Sequence, residues 1–295
     1  MIYCSLQNPY FIQRFFIDLE AIGGNGPDEL LGSFSGLNDD AGSLQDDDGV
    51  DRVSVREVWL QSYLFDQKLR LVGGKIDLTN YFDHNVVAND ETTQFITGAF
   101  VNNPTLEVPD NGPGLVVFFD TMKGPNFGLG LQSADNSGTN ITDDIYAIAQ
   151  IGYRSYGFFG REGNWRIWGR INGEKDDDKG FGVSMDQNLT TRLTAFARYG
   201  ANEEEKGNSD IASAWSLGLR YRSPFFSRVN DEMAFAFGTI DMVHGGEERV
   251  AELYYKFQFN KHTSITPNIQ TLVDPAGVDS EGTSVLAGVR TQIEF

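Results

Sequence analysis

No run of eighteen apolar residues occurs in this 295-residue chain, which excludes a transmembrane helix. Strands escape that exclusion, because a membrane-crossing strand needs only every second residue apolar. Cysteine is all but missing. Cys4 stands alone, so no internal disulfide can form, and its neighbours lack the small residues that surround a lipid-modified cysteine. Positive charge is scarce: 23 Lys and Arg face 42 Asp and Glu, a formal net charge of −19, which argues against nucleic acid as a partner. No Pro- or Ser-rich linker divides the chain, so residues 1–295 read as one domain. Met1 to Tyr10 lacks a basic stretch followed by an apolar core, the mark of an export signal. Catalytic signatures are missing too. His84, His244 and His262 are scattered without metal spacing, and neither a nucleophile elbow nor a phosphate loop occurs. Asp90 and Glu91 are adjacent in sequence and so poorly placed to flank one glycosidic bond. The expectation is no enzyme, no metal and no cofactor.

What is present is alternation. With 33 Gly, 13% aromatics and short apolar runs, the composition suits many strands joined by tight turns. From Thr283 to Phe295, Val285, Ala287, Val289, Ile293 and Phe295 share one face, while Ser284, Arg290, Gln292 and Glu294 share the other. Thirteen residues at about 3.3 Å each span roughly 43 Å, and a 45° tilt leaves about 30 Å along the membrane normal. A chain closing on such a strand, with an aromatic last, predicts an antiparallel transmembrane β-barrel of the outer-membrane type. The apolar face meets lipid and the polar face meets a wet lumen.

Working back from Phe295, period-two segments recur at 263–273, 249–260, 231–241, 211–222, 190–200, 179–187, 163–172, 144–155, 125–134, 114–121, 67–76, 52–65 and 10–21. With the last strand they make about fourteen. Short connections alternate with long ones at 21–51, 76–113, 133–144, 172–179, 200–211 and 274–282, which predicts periplasmic turns, longer outside loops and both termini on the periplasmic side. The acidic runs Asp39-Asp40, Asp46 to Asp48, Asp143-Asp144, Asp176 to Asp178, Glu203 to Glu205 and Glu247-Glu248 fall between strands on the long side, which predicts one strongly acidic rim. Arginines collect on the inward faces: Arg14, Arg154, Arg166, Arg170, Arg192, Arg198, Arg220, Arg222 and Arg290. Each serves either a solute in the lumen or ion pairs that stiffen the wall. Tyr146, Trp168, Phe196 and Tyr254 share that face and either stack on a sugar ring or wedge a loop in place.

The longest connection begins GKIDLTNYFDHNVVANDETTQF (74–95) and continues ITGAFVNNPTLEVPDNGPG (96–114). Together with LLGSFSGLNDD (30–40), VREVWLQSYLFDQKLRLVGGKID (55–77), ELYYKFQFNKHTSITPNIQTLVDPAG (252–277) and VLAGVRTQIEF (285–295), it closely resembles the carbohydrate-selective porins of the OprB type. The resemblance spans nearly the whole chain. It implies a sixteen-stranded barrel in the outer membrane of a Gram-negative-type envelope, so two strands and an export signal are expected upstream of this sequence. It also implies passive diffusion of small sugars and similar polar solutes.

A connection as long as 77–113 is uncommon unless it folds onto something, and in a porin the lumen is the natural place. Its Asn80, Tyr81, Asp83, Asn89, Asp90 and Glu91 offer groups that can replace a sugar's lost water hydrogen bonds. The same groups can instead hold the loop's own turns, and Asn89 or Asp90 with Thr93 and Gln94 resembles a helix start. With Arg154, Arg166, Arg170, Arg198, Arg220 and Arg290 these residues form the candidate pore lining. The expected partners are small sugars and outer-membrane lipid, and a homotrimer is left open. Two other functions fit the same sequence: a general or cation-preferring porin, and a structural barrel that anchors the envelope.

Overall fold

The computed structural model describes residues 2–8, 11–38, 52–135, 144–157, 160–175, 178–203, 209–225, 228–278 and 282–295. Fifteen strands run in one antiparallel meander, each pairing with its neighbours in sequence. The first are β1 (Ile2–Asn8), β2 (Phe11–Ile22), β3 (Arg52–Leu64), β4 (Leu69–Ile76) and β5 (Gly112–Asp120). There follow β6 (Gly124–Ser133), β7 (Ile145–Ser155), β8 (Gly163–Asn172), β9 (Asp178–Asn188) and β10 (Leu193–Asn202). The last are β11 (Ile211–Arg222), β12 (Glu232–Met242), β13 (Glu247–Asn260), β14 (Thr263–Val273) and β15 (Thr283–Ile293). The only α-helical elements among the described residues are single turns, α1 (Asp28–Leu31) and α2 (Gly98–Val101).

The sequence periodicity missed β1, which pairs with β2 from Ile2↔Ile17 to Asn8↔Phe11. It is short, and no Gly or Asp marks its start, so it reads as a lead-in. Its presence corrects the sidedness of the first residues: Ile2 lies at the rim of the long connections, opposite Ile293. Among the described residues β1 and β15 bound the sheet order, and they run in the same direction.

Side-chain alternation follows the expected faces. Along β8, Trp165, Ile167 and Ile171 are exposed while Trp168, Arg170 and Asn172 are buried. Along β13, Leu253 is exposed while Glu252 and Tyr254 are buried. The exposed set, which includes Leu129, Ile151, Phe181, Leu217, Phe235, Val285 and Val289, is apolar, as a lipid-facing surface requires. The buried set is rich in polar groups. A soluble sandwich would have the opposite arrangement.

The long connections leave one rim and the short ones the other. Most of the acidic runs (39–40, 46–48, 143, 176–177 and 204–205) lie outside the described residues. Residues 77–111, between β4 and β5, touch the inward faces of strands from β3 (Glu57) through β8 (Trp168), β10 (Arg198) and β13 (Glu252) to β15 (Arg290). One short segment can reach both ends of a fifteen-stranded sheet only if the sheet curls around it. A second inward segment, which the sequence did not announce, is 23–38. There the Asp28 carboxylate accepts from Leu37 N and Asn38 N, both at 2.8 Å, and Gln270 Nε2 donates to Leu37 O at 2.8 Å.

Candidate functional site

Segment 77–111 is built from short polar caps alternating with apolar anchors. Asp77 Oδ1 accepts from Thr79 N (2.8 Å) and Oγ1 (2.6 Å), starting a 3₁₀ turn at Leu78–Asn80. Asn103 does the same for Thr105, and Pro104 sets the turn that follows. Between them, Asp90 Oδ1 accepts from Thr92 N and Oγ1, Oδ2 accepts from Thr93 Oγ1, and Gln94 Oε1 accepts from Asn89 N at 2.7 Å. These bonds hold a turn at 90–94 and no helix starts there, so the helix start that the sequence suggests is absent. Burial would raise the Asp90 carboxyl, but the hydrogen bonds from Thr92 and Thr93 outweigh it and hold the group below its ordinary value.

The apolar anchors divide into two clusters. Leu78, Phe82 and Leu106 pack with Val72, Val116, Tyr146, Ile148 and Trp168. Val87, Phe95 and Phe100 pack with Phe196, Ala236, Val250 and Tyr254. The wall makes room for the segment with glycine: a Cβ on Gly130 would lie 2.6 Å from the Phe82 ring, and one on Gly200 would lie 2.0 Å from Thr105 Oγ1. The four inward aromatics therefore pack against the segment, and all are 0–2% exposed.

Arginines from separate strands then grip the segment's backbone. Arg198 on β10 pairs through Nε with Asp83 (2.8 Å) and donates to the carbonyls of Asp83, Ala88 and Phe100. Arg170 on β8 donates to Thr105 O, Asp178, Glu107 and Asn202. Arg220 on β11 reaches Val86 O at 2.6 Å, and Arg290 on β15 reaches the carbonyls of Glu91 and Gln94. Carboxylates hold the donors in turn. Glu252 accepts from Ile96 N, Thr97 N and Thr97 Oγ1, and Glu57 accepts from Asp77 N, Trp59 Nε1 and Asn80 Nδ2.

Asp83 is fully buried, and besides Arg198 it accepts from Trp168 Nε1 and Asn103 N, each at 3.0 Å. Burial pushes its carboxyl up, and Arg198, Trp168 and Asn103 pull it back. Asn89 accepts from Asn85 N. Asp83, Asn89, Asp90, Arg170 and Arg198 thus spend their groups on protein partners. Asn80, Tyr81, Arg154 and Arg166 line an open chamber of 430 Å³ toward the short-turn rim, with Tyr63, Arg70, His84, Phe118 and Gln150. Glu91 and Arg290 line a second space of 610 Å³ against β14 and β15.

In the chamber Arg154 pairs with Asp120 (3.3 Å) and Glu162 (3.6 Å), and Arg166 pairs with Asp186 at 3.0 Å. Burial and the adjacent Glu57 push the Tyr81 hydroxyl up. His84 is exposed to the chamber. Partial desolvation by the protein around it, then Arg166, Arg198 and Arg70, hold it below its ordinary value, so it is neutral at neutral pH. Sequence reasoning overlooked Arg70 and set His84 aside as a lone histidine; the signal for Arg70 was its place between the outward Leu69 and Leu71. Among the described residues no group of three or more His, Cys, Asp or Glu is arranged to hold a metal ion.

Residues 126–295 match the family model for carbohydrate-selective porins of the OprB family. An uncharacterized protein of Aquifex aeolicus is 27% identical over 242 residues, covering 81% of this chain and 70% of that one. Porin AaxA of Chlamydia felis is 24% identical, and the match covers 82% of this chain and 59% of that one. The high-pH structure of Pseudomonas putida OprB superposes with a TM-score of 0.70 at 15% identity, covering 99% of this chain and 91% of that one.

Proposed function

This chain belongs to the OprB family of carbohydrate-selective porins, outer-membrane β-barrels, and from that premise we propose that segment 77–111 is the constriction through which sugars pass. The observation that carries the reading is the arginine grip on the segment's carbonyls from β10, β11 and β15, which with Glu57 on β3 fixes it between the two ends of the sheet and leaves polar space beside it. A solute leaving water for this space exchanges water hydrogen bonds for those of amides, guanidinium groups and hydroxyls, at about 0.5–1.5 kcal/mol net each. That is enough to select polyols over apolar solutes and weak enough to let them leave. The short turns are periplasmic and the long connections external, so the 430 Å³ chamber is the inner vestibule. Transport is passive, and the chain acts as a channel without catalysis.

Closure belongs to the same proposal. Because β1 and β15 run in the same direction, a further strand between them completes an antiparallel barrel and gives the sixteen strands expected from the resemblance. Without it, each edge would expose backbone groups to hydrocarbon at several kcal/mol apiece.

Planar-bilayer recording tests the reading. Glucose or maltose should reduce the ion current in a saturable way, and liposomes carrying the protein should swell in either sugar. Conductance indifferent to sugar would favour the general, cation-preferring porin; absence of any flux would favour an anchoring barrel.

A further inference from the structure

Arg70 is unlike the other arginines of the wall. It projects inward from β4, in register with Tyr63 on β3 and Phe118 on β5. Its guanidinium lies over two aromatic rings at once, 5.2 Å from the centroid of Tyr81 and 4.8 Å from that of Phe118. Arg154 and Arg166 each face a carboxylate, and Arg170, Arg198, Arg220 and Arg290 are spent on loop carbonyls. Arg70, among the described residues, has no hydrogen-bond acceptor and no ion-pair partner. Cation–π attraction to the two rings holds its head in the chamber wall, and no protein acceptor among the described residues takes its N–H groups.

We propose that this inner chamber contains a carboxylate subsite centred on Arg70, and that the porin therefore favours sugar acids, aldonates or uronates, over the corresponding neutral sugars. The proposal rests on the sugar-porin reading and refines its substrate class. A planar fork on a preorganised guanidinium matches a carboxylate in two parallel hydrogen bonds, whereas a neutral hydroxyl engages it singly and without charge. The rest of a sugar acid meets the amides of Asn80, Asn126 and Gln150, which line the same cavity. The carboxylates that line or border the chamber do not cancel Arg70: Asp120 is taken by Arg154 and Asp186 by Arg166. Of the chamber's arginines, Arg70 is the one that can be removed without breaking an ion pair.

The test compares galacturonate with galactose as blockers of ion current through the purified porin in a low-salt bilayer. The acid should half-block at a concentration about tenfold or more below the neutral sugar, a difference of about 1.4 kcal/mol. Arg70→Gln should erase that ratio, weakening block by the acid far more than block by galactose, while a persisting open-channel current shows that the pore is intact. Arg70→Lys, which keeps the charge but lacks the fork, should restore part of it. In NMR titrations galacturonate should raise the His84 pKa above about 4 in the wild type, with galactose leaving it unmoved. Equal block by both solutes in the wild type, or an acid preference that survives Arg70→Gln, would overturn the subsite. Block by galacturonate without block by galactose would support the subsite and sink the neutral-sugar reading. A pore that neither solute blocks would overturn both.

Discussion

Asp83 and Arg198 form a pair in which both side chains are fully buried, so neither charge has water to fall back on. Removing one partner of such a pair costs about 3–5 kcal/mol, because the other is left uncompensated. Asp83→Asn leaves Arg198 with three carbonyl acceptors but no counter-charge. It should lower the thermal transition and, by loosening segment 77–111, raise single-channel conductance; unchanged conductance would show that the segment is held without this pair. His84 allows a prediction in pH. Its folded value of about 4 lies below the ordinary 6.5, so the unfolded chain binds a proton in that interval and the folded chain does not. Stability contributed by this group is present above about 6.5, falls as pH drops toward 4, and changes no further below. Urea midpoints at pH 7 and pH 5 should therefore differ less in His84→Gln than in the wild type. At this scale the sequence revealed residue types but not allegiances. Inward placement of Arg198 and Arg70 follows from alternation, yet one is locked to Asp83 and the other stacks on Tyr81, because partners that distant in sequence meet only through the fold.

Among elements, β8 sets the two faces side by side. Ile167 is 62% exposed on the lipid side, while its neighbours Arg166 and Trp168 point inward. An arginine at position 167 would sit mid-strand against hydrocarbon, where it costs about 2–4 kcal/mol. Refolding of Ile167→Arg into lipid vesicles should show that loss in its urea midpoint, and an unperturbed midpoint would mean this face does not meet lipid. Alternation made such strands legible, since each face carries a signal every second residue. β1 was missed because Ile2–Asn8 is brief and lacks a marked start. The inward course of 77–111 was readable from its length. The Gly130 and Gly200 recesses that receive it were not, because glycine in a strand signals close approach without naming what approaches.

The whole molecule is polarised along its axis. Among the described residues, the connections at one rim carry Asp28, Asp135, Asp144, Glu174, Glu203, Asp210 and Asp274, while the turns at the other carry Lys68, Lys123, Arg161, Arg192, Arg228 and Lys261. Inside, Arg70 adds positive field on the short-turn side. The expectation of one acidic rim comes from the parity of the strands, and most of the runs behind it lie outside the described residues. A pore with an acidic mouth and a basic one accumulates cations at the first and anions at the second. When the long-connection side is held positive, cations are driven in through the mouth that concentrates them, and anions are driven in through the other. Both carriers then fill the pore. Reversing the voltage draws each ion from the mouth that repels it, and the pore empties. Current–voltage curves at about 0.01 M salt, where the screening length is about 30 Å, should therefore rectify, with the larger current when the long-connection side is positive. At about 1 M, with screening near 3 Å, the two directions should converge. The net charge of −19 adds a cation preference at the acidic mouth, visible as a reversal potential under a salt gradient. Rectification of the opposite sense would place the controlling charge in the constriction and its arginines, and symmetric curves at low salt would show that neither rim governs ion entry.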